Sequence, residues 1–115
     1  MVILTEYRFG EITANGTRYR SDLIVLGEEV LSPWKRKEGH RLDLSDLIWP
    51  IERHAKVIVV GTGAFARLVV PRYVINTLSA RGIEILPLKT ARAVEAYSEQ
   101  CQAGKCVAAC LHLTC

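Results

Sequence analysis

The segment Lys56-Val57-Ile58-Val59-Val60-Gly61-Thr62-Gly63 decides the fold. It holds four consecutive β-branched residues, with a charged residue before them and a glycine after them. Such a run is typical of a strand that is buried on both faces. Gly61 and Gly63 allow the chain to leave that strand in a conformation that a Cβ would forbid. We therefore predict an interior strand over Val57–Val60, with the rest of the chain layered around its sheet.

The second half of the chain alternates between strands and helices. Val74, Ile75 and Leu78 recur at helical spacing after a proline that suits a helix start. The predicted elements are a helix from near Pro71 to Arg81, a strand over Ile83–Leu88, a helix over Ala91–Gln102 capped by Thr90, and a strand over Cys106–Leu113. Near-continuous apolar strands joined by helices indicate a sheet covered on both faces, with right-handed crossovers.

The first half indicates short strands and a broken helix. Asn15-Gly16 predicts the turn of a hairpin whose arms are Phe9–Thr13 and Thr17–Tyr19. A third short strand is predicted over Asp22–Leu26, and Pro33–His40 is interpreted as a strand, an exposed turn and a return.

The segment Asp43–His54 has helical period, with Asp43 as its N-cap. Pro50 interrupts that pattern, so two short helical pieces are predicted, with the break near Trp49. The fold class is therefore α/β. We predict one three-layer domain over residues 1–115 with a mixed central sheet. The two C-terminal helices are expected on one face, and the N-terminal hairpins with the kinked helix on the other.

Composition limits the classes of function. The chain has 115 residues, is 50% apolar and 23% charged, and carries a net charge of +3. That charge is too small and too dispersed to predict nucleic-acid binding. Met1–Leu4 is too short for a secretory signal, and the longest apolar run, Cys106–Leu111, is far below the ~20 residues that cross a bilayer. The expectation is a cytoplasmic, soluble protein without a membrane span.

All four cysteines, Cys101, Cys106, Cys110 and Cys115, lie near the end of the chain. In a reducing compartment they are expected to be free thiols, buried as small apolar groups. Cys106 and Cys110 would lie ~13 Å apart on a strand, too far to chelate one zinc ion. We expect no metal and no cofactor, and Cys115 as the exposed, reactive thiol.

The run Gly61-Thr62-Gly63-Ala64-Phe65-Ala66 satisfies the dinucleotide fingerprint literally. In that motif a helix opens on the glycines, whereas Pro71 delays the predicted helix here. The acidic residue expected after the next strand is also absent, because Leu88 and Lys89 occupy that position. A nicotinamide or flavin site is therefore not predicted.

A smaller anion site is a separate hypothesis. Ligands of α/β sheets gather at the carboxyl ends of the strands, and a helix start favours negative charge. The candidate pocket for a carboxylate, a phosphate or an acidic peptide consists of Gly61, Thr62, Gly63, Arg67, Lys89 and Thr90. The alternative interpretation is a tight turn with arginines on the surface.

No catalytic set is recognisable, since the sequence lacks G-x-S-x-G, HExxH and paired carboxylates. His112 is predicted to be a hydrogen-bonded core histidine, and Trp34 a lid on the sheet. The run Lys35-Arg36-Lys37 is interpreted as a solvated loop tip, with a docking patch for an acidic partner as the alternative.

Several short motifs occur in a fixed order and spacing: Phe9-Gly10, Trp34 with Arg36 and His40, Val57 to Gly63, Gly82-Ile83, Thr90 with Ala93 and Tyr97, Val107-Ala108-Ala109, and His112-Leu113-Thr114-Cys115. In these motifs the chain resembles a family of small α/β domains of unknown function. The family includes the animal adipogenesis-associated protein and a mitochondrial assembly factor for respiratory complex I. The resemblance implies a three-layer fold with a mixed sheet and no established enzyme activity. Ser98 and Ala103-Gly104-Lys105 depart from the family's usual asparagine and Glu-Gly-Arg turn.

The sequence thus predicts a non-enzymatic protein-interaction module, such as an accessory or assembly factor, with a protein partner and a monomeric or homodimeric state. The alternative is a small anion-binding protein or minor enzyme that uses the Gly61-Thr62-Gly63 turn.

Overall fold

A five-stranded sheet forms the centre of the molecule. The structure, a computed structural model, describes residues 1–115. The sheet has the order β5-β4-β8-β6-β7, and its strands are β4 (Leu23–Leu26), β5 (Glu29–Leu31), β6 (Val57–Gly61), β7 (Glu84–Leu88) and β8 (Val107–Leu111). β6 runs parallel to β7 and β8, whereas β4 is antiparallel to β8 and β5. The predicted mixed sheet is confirmed, and the Val57–Val60 segment is an interior, fully buried part of it.

A second sheet of three antiparallel strands lies at the amino end. It consists of β1 (Leu4–Arg8), β2 (Glu11–Ala14) and β3 (Thr17–Tyr19). Asn15 and Gly16 both have positive φ, 48° and 80°, as a two-residue hairpin turn requires. The hairpin is confirmed, but its first arm begins at Glu11, because Phe9 and Gly10 form the turn that follows β1.

The helices are short, apart from the last one. A 3₁₀ turn over Leu44–Leu47 leads into α1 (Ile48–Glu52), and α2 (Arg72–Ser79) and α3 (Thr90–Gln102) follow. Asp43 caps the 3₁₀ turn by accepting the Ser45 N–H, as predicted. Two short pieces are confirmed, but the break precedes Ile48. Pro50 lies in the first turn of α1, where its missing N–H has no partner to lose.

The segment Pro33–His40 does not form the predicted strand and return. It contains bends and a bridge between Glu38 and Arg41. Arg36 closes this loop from the inside, because its guanidinium donates to the Gly39 carbonyl at 3.0 Å. Trp34 is buried against the sheet as expected, with its indole N–H donated to the Asp46 carbonyl at 3.0 Å.

The layers are distributed differently from the prediction that both C-terminal helices share a face. Val74 and Leu78 of α2 pack with Trp34 and Leu47 on one face of the sheet. Ala93, Ala96 and Tyr97 of α3 pack with Ile12 and Ala14 of the small sheet on the other face.

The strand order explains this correction. The chain moves from β6 outward to β7 through α2, and then back across β6 to β8 through α3. Two right-handed crossovers in opposite directions place their helices on opposite faces. The sequence analysis predicted right-handed crossovers, but it did not predict the order of the strands in the sheet.

Candidate functional site

The Gly61-Thr62-Gly63 turn joins the carboxyl ends of three strands. The Thr62 N–H and hydroxyl both donate to the Leu88 carbonyl, at 2.8 and 3.1 Å. Gly63 N–H donates to the Thr90 hydroxyl at 2.9 Å, and Thr90 N–H donates back to the Gly63 carbonyl at 3.2 Å. Four of the six predicted pocket residues, Gly61 to Gly63 and Thr90, are therefore brought into one hydrogen-bonded unit.

Thr90 does not cap α3 as predicted. The helix begins at Thr90 itself, and its N-cap, Lys89, makes no side-chain cap bond. The buried Thr90 hydroxyl donates to the His112 carbonyl at 2.6 Å while it accepts the Gly63 N–H. Thr90 therefore links the start of α3 to the ends of two strands, β6 and β8, and its hydroxyl does not cap the helix.

The chain's own packing requires both glycines of the turn. A Cβ on Gly61 would lie 2.9 Å from the Thr90 hydroxyl oxygen and 3.0 Å from Leu111. A Cβ on Gly63, whose φ is +105°, would lie 2.4 Å from the Cys115 carbonyl carbon. These contacts account for the glycines without a bound nucleotide. No helix opens on them either, because α2 starts only at Arg72.

The segment Thr114–Cys115 lies along the loop that follows the turn. Ala64 N–H donates to the Thr114 carbonyl at 2.7 Å, and Arg67 N–H donates to the Cys115 carbonyl at 2.9 Å. The side chains of Arg67 and Lys89 are exposed, and neither makes an ion pair. Of the predicted pocket, the backbone part is packed against the chain itself, and the two cations remain on the surface.

The open clefts of the molecule lie elsewhere. One, of about 330 Å³, is lined by Ile75, Ser79 and Gly82–Ile85 between α2 and β7. The other, of about 340 Å³, lies between α1 and Arg81. Neither contains a residue of the predicted pocket.

A buried polar cluster that the sequence analysis did not predict lies at this end of the sheet. Asp22 Oδ2 accepts from Arg36 Nη1 at 2.9 Å and lies 2.8 Å from His112 Nδ1. Asp22 Oδ1 accepts the Leu113 N–H at 2.8 Å. We call Asp22, Arg36 and His112 the Asp22 cluster. His112 is the hydrogen-bonded core histidine that was predicted, whereas Arg36 is not part of a solvated loop tip.

The electrostatics of the Asp22 cluster favour an ionised carboxylate. Burial by itself raises the pKa of Asp22, but the hydrogen bonds from His112, from the Leu113 amide and from Arg36 outweigh it and hold that pKa below its ordinary value. His112 Nδ1 also lies 3.2 Å from Arg36 Nη2, and the bond between His112 and an ionised Asp22 needs the ring proton on Nδ1. His112 Nε2 is buried and has no hydrogen-bond partner.

No local pattern could have revealed this cluster, because Asp22 and His112 are 90 positions apart. The one available signal was the family resemblance, because Arg36 and Trp34 are among the residues on which it rests. In the structure the Arg36 guanidinium lies 4.7 Å from the centre of the Trp34 ring.

The cysteines are free thiols, and their exposure differs from the prediction. Cys106 is the exposed thiol, because it lies in the turn before β8, whereas Cys115 is half-buried over Gly63. Cys110 is fully buried, and burial raises the pKa of its thiol. No group of three or more His, Cys, Asp or Glu side chains is placed to hold a metal ion.

An aromatic pair stands on the surface above the turn. Phe9 and Phe65 are the chain's only two phenylalanines; they are 57% and 68% exposed, with ring centroids 6.1 Å apart. Gly10 N–H donates to the Leu113 carbonyl at 2.8 Å and Ala64 N–H to the Thr114 carbonyl at 2.7 Å, so the backbone next to each ring is bonded to the last residues of the chain. We call the Phe9–Phe65 surface the two rings together with three exposed cations that the backbone places nearby: Arg8 precedes Phe9, Arg67 follows Phe65 by two residues, and Lys89 precedes Thr90, which is bonded to Gly63.

None of the helices combines the length and the apolarity that a membrane crossing needs.

Comparison with solved structures shows the same fold in several proteins. "MT938" is 29% identical, with a TM-score of 0.82 over 100% of both chains. The conserved hypothetical protein PH1505 of Pyrococcus horikoshii is 21% identical, with a TM-score of 0.80 over 97% of this chain and 98% of that one. XCC1710 of Xanthomonas campestris is 18% identical, with a TM-score of 0.83 over 98% of this chain and 85% of the other.

A Bordetella pertussis protein of the same fold is described as a Mth938-like domain. Among curated proteins none matches significantly. The family model that matches, over residues 4–112, is described as "Protein of unknown function (DUF498/DUF598)". Because that match spans nearly the whole chain, the chain belongs to the DUF498/DUF598 family.

Proposed function

We propose that this chain is a non-enzymatic protein-interaction module, of the accessory or assembly type, that binds its partner through the Phe9–Phe65 surface. One observation carries the proposal. The chain has two phenylalanines, and both lie exposed and in contact with each other instead of in the core. Exposed large apolar groups are informative when they cluster, and aromatic residues are enriched in interfaces.

The energetics favour this surface as a contact. Covering an exposed phenylalanine contributes about 2 kcal/mol, so a pair supplies the energy of a small hot spot. The backbone under the rings is held by the bonds from Gly10 to Leu113 and from Ala64 to Thr114. A surface that is already ordered loses little conformational entropy on binding.

The location and assembly of the module are also proposals. Four thiols without a disulfide suit the reducing cytoplasm. The monomeric or homodimeric state stays a prediction from the sequence.

Site-directed photocrosslinking tests the proposal. A benzophenone amino acid replaces Phe65 in the full chain expressed in its own cells, and the matched control carries the same group at Gln102, an exposed residue at the end of α3. We expect one discrete protein adduct from position 65, none from position 102, and loss of the adduct when Phe9→Ser is added. The same adducts from both positions, or an adduct at position 65 that Phe9→Ser does not weaken, would contradict the proposal.

A small anion at the turn is the second candidate function. The observation in its favour is that Arg67 and Lys89 lie exposed without an acidic partner, and that Lys89 is the N-cap of α3. A thermal-shift titration with phosphate and with citrate tests it. A ligand at 100 times its Kd adds about 2.7 kcal/mol to the free energy of unfolding. We expect a stabilisation that Arg67→Ala and Lys89→Ala abolish; no shift with either anion removes this candidate.

A further inference from the structure

The Phe9–Phe65 surface is positively charged, and its cations lack partners within the chain. Arg8, Arg67 and Lys89 are exposed and take part in no ion pair. Four other arginines, Arg18, Arg36, Arg53 and Arg92, are all paired with carboxylates. Arg20, Arg41, Arg72 and Arg81 are unpaired as well, so the feature particular to this surface is the combination of unpaired cations with an exposed aromatic pair.

The acidic residues nearest in sequence offset only part of this charge. Glu6 and Glu11, on either side of Phe9, share the single Arg18 on β3, at 3.5 and 3.1 Å, so one of their two negative charges remains near Arg8. No Asp or Glu occurs between Glu52 and Glu84, the stretch that contains Phe65 and Arg67. Positive potential around an apolar contact favours a partner of opposite charge.

We propose that the partner of the Phe9–Phe65 surface is an acidic peptide segment, with a bulky apolar side chain that packs on the two rings and carboxylates on either side that meet Arg8, Arg67 and Lys89. This inference rests on the proposed function and specifies its partner. The apolar anchor supplies affinity, and the carboxylates supply selectivity and the rate of association.

The geometry favours a peptide over a single-stranded nucleic acid, the other anionic partner that aromatic and basic side chains bind. Binding of successive bases needs ring faces that are free for stacking. The two rings lie at 45° to each other and contact each other, so they form one apolar knob rather than two stacking platforms. The net charge of +3 is also small for a nucleic-acid binder.

Selection from a displayed library of random peptides tests the chemistry without a known partner. Peptides of about twelve residues, long enough for an apolar anchor with carboxylates on either side, are selected on the wild-type chain and on the Phe9→Ser/Phe65→Ser double variant. We expect the wild-type pool to be enriched, against the starting library, in Asp and Glu beside an aromatic or aliphatic residue, and the pool from the double variant to show no such enrichment. A wild-type pool without acidic enrichment, or with basic enrichment, overturns the inference.

A binding assay with the selected consensus peptide then assigns the charge to named residues. The double reversal Arg67→Glu/Lys89→Glu is expected to weaken binding at least about tenfold, since each reversed contact removes a fraction of a kcal/mol and adds repulsion. The matched control Lys105→Glu reverses an exposed lysine at the opposite end of β8 and is expected to leave binding unchanged. Equal effects of the double reversal and the control overturn the inference.

Competition with oligo(dT) completes the experiment. If oligo(dT) binds more tightly than the peptide, the inference is overturned in favour of a nucleic-acid partner.

The proposed interaction surface and the proposed acidic partner can be refuted separately. An adduct from position 65 together with a pool that lacks acidic enrichment refutes only the acidic partner, whereas no adduct from position 65 refutes the interaction surface itself.

Discussion

Two loops cover the same end of the central sheet, and their arginines have different roles. In the loop over residues 32–42, Trp34 is buried and Arg36 reaches inward to Asp22. The loop over residues 62–71 is held by backbone bonds to Leu88, Thr114 and Cys115 and by the buried Leu68, and it leaves Phe65 and Arg67 exposed. An arginine that completes the fold and an arginine that is free to bind can therefore lie at the same end of one sheet.

The largest expected effect separates these two arginines. Arg36→Ala removes a side chain that is only 6% exposed. The Asp22 carboxylate, itself only 18% exposed, then loses its ion pair with the guanidinium. We expect a loss of about 3 kcal/mol in the free energy of unfolding. Arg67→Ala, the matched change in the other loop, should stay within about 0.5 kcal/mol. Urea denaturation of both variants measures this, and equal losses would remove the distinction between the loops.

The second prediction tests the backbone attachment of the loop over residues 62–71. Gly63→Ala introduces a Cβ 2.4 Å from the Cys115 carbonyl carbon at a φ of +105°. We expect a loss of about 2 kcal/mol or more from the clash and the backbone strain together. Gly104→Ala, at a φ of +83° with no atom within 4 Å of the new Cβ, isolates the strain and should cost about 1 kcal/mol. If Gly104→Ala costs as much as Gly63→Ala, the close packing of Cys115 against Gly63 adds nothing to the loss of stability.

The third prediction concerns pH and the loop over residues 32–42. The pKa of Asp22 in the folded chain is lowered, so the stabilisation it provides is present above its unfolded pKa and is lost as the pH falls through the folded value. We expect the wild type to lose more stability than Asp22→Asn between about pH 5 and pH 2, the range that lies around and below the ordinary aspartate pKa. The free energy of unfolding at a series of pH values measures it. Parallel curves for the two proteins would show that the Asp22 carboxylate is not held in its ionised form.

The smallest expected effect is on the surface itself. Phe65→Ser should change the free energy of unfolding by no more than about 0.5 kcal/mol, because the ring is 68% exposed. Leu68→Ala, three residues along the same loop but 2% exposed, should cost about 3 kcal/mol. Thermal or urea unfolding compares the two. A large loss for Phe65→Ser would mean that the aromatic pair supports the fold, which argues against a surface kept free for a partner.

The sequence was a good guide wherever a signal is local. The β-branched run Val57–Val60, the Asn15-Gly16 turn and the cap at Asp43 each act through neighbouring residues, and the structure has each of them as predicted. The burial of Trp34 and of His112 was also predicted, from residue type and apolar context.

The sequence was a poor guide wherever the meaning of a residue depends on distant parts of the chain. Thr90 looks in the sequence like the cap of a helix, but its hydroxyl donates to the His112 carbonyl and accepts the Gly63 N–H instead. Arg36 stands between two lysines and resembles a solvated residue, but Asp22 offers it a buried carboxylate.

The amino-acid sequence by itself determined the elements of this protein: an interior strand with a glycine exit, the alternation of strands and helices, and the absence of the known catalytic motifs. Those properties depend on side-chain shape and on spacing along the chain. Only the tertiary structure decided which faces α2 and α3 cover, that Asp22, Arg36 and His112 meet, and that Phe9 and Phe65 stand together on the surface. The physical reason is that these contacts join residues far apart in sequence, so they depend on strand order and crossover handedness, which no local pattern contains.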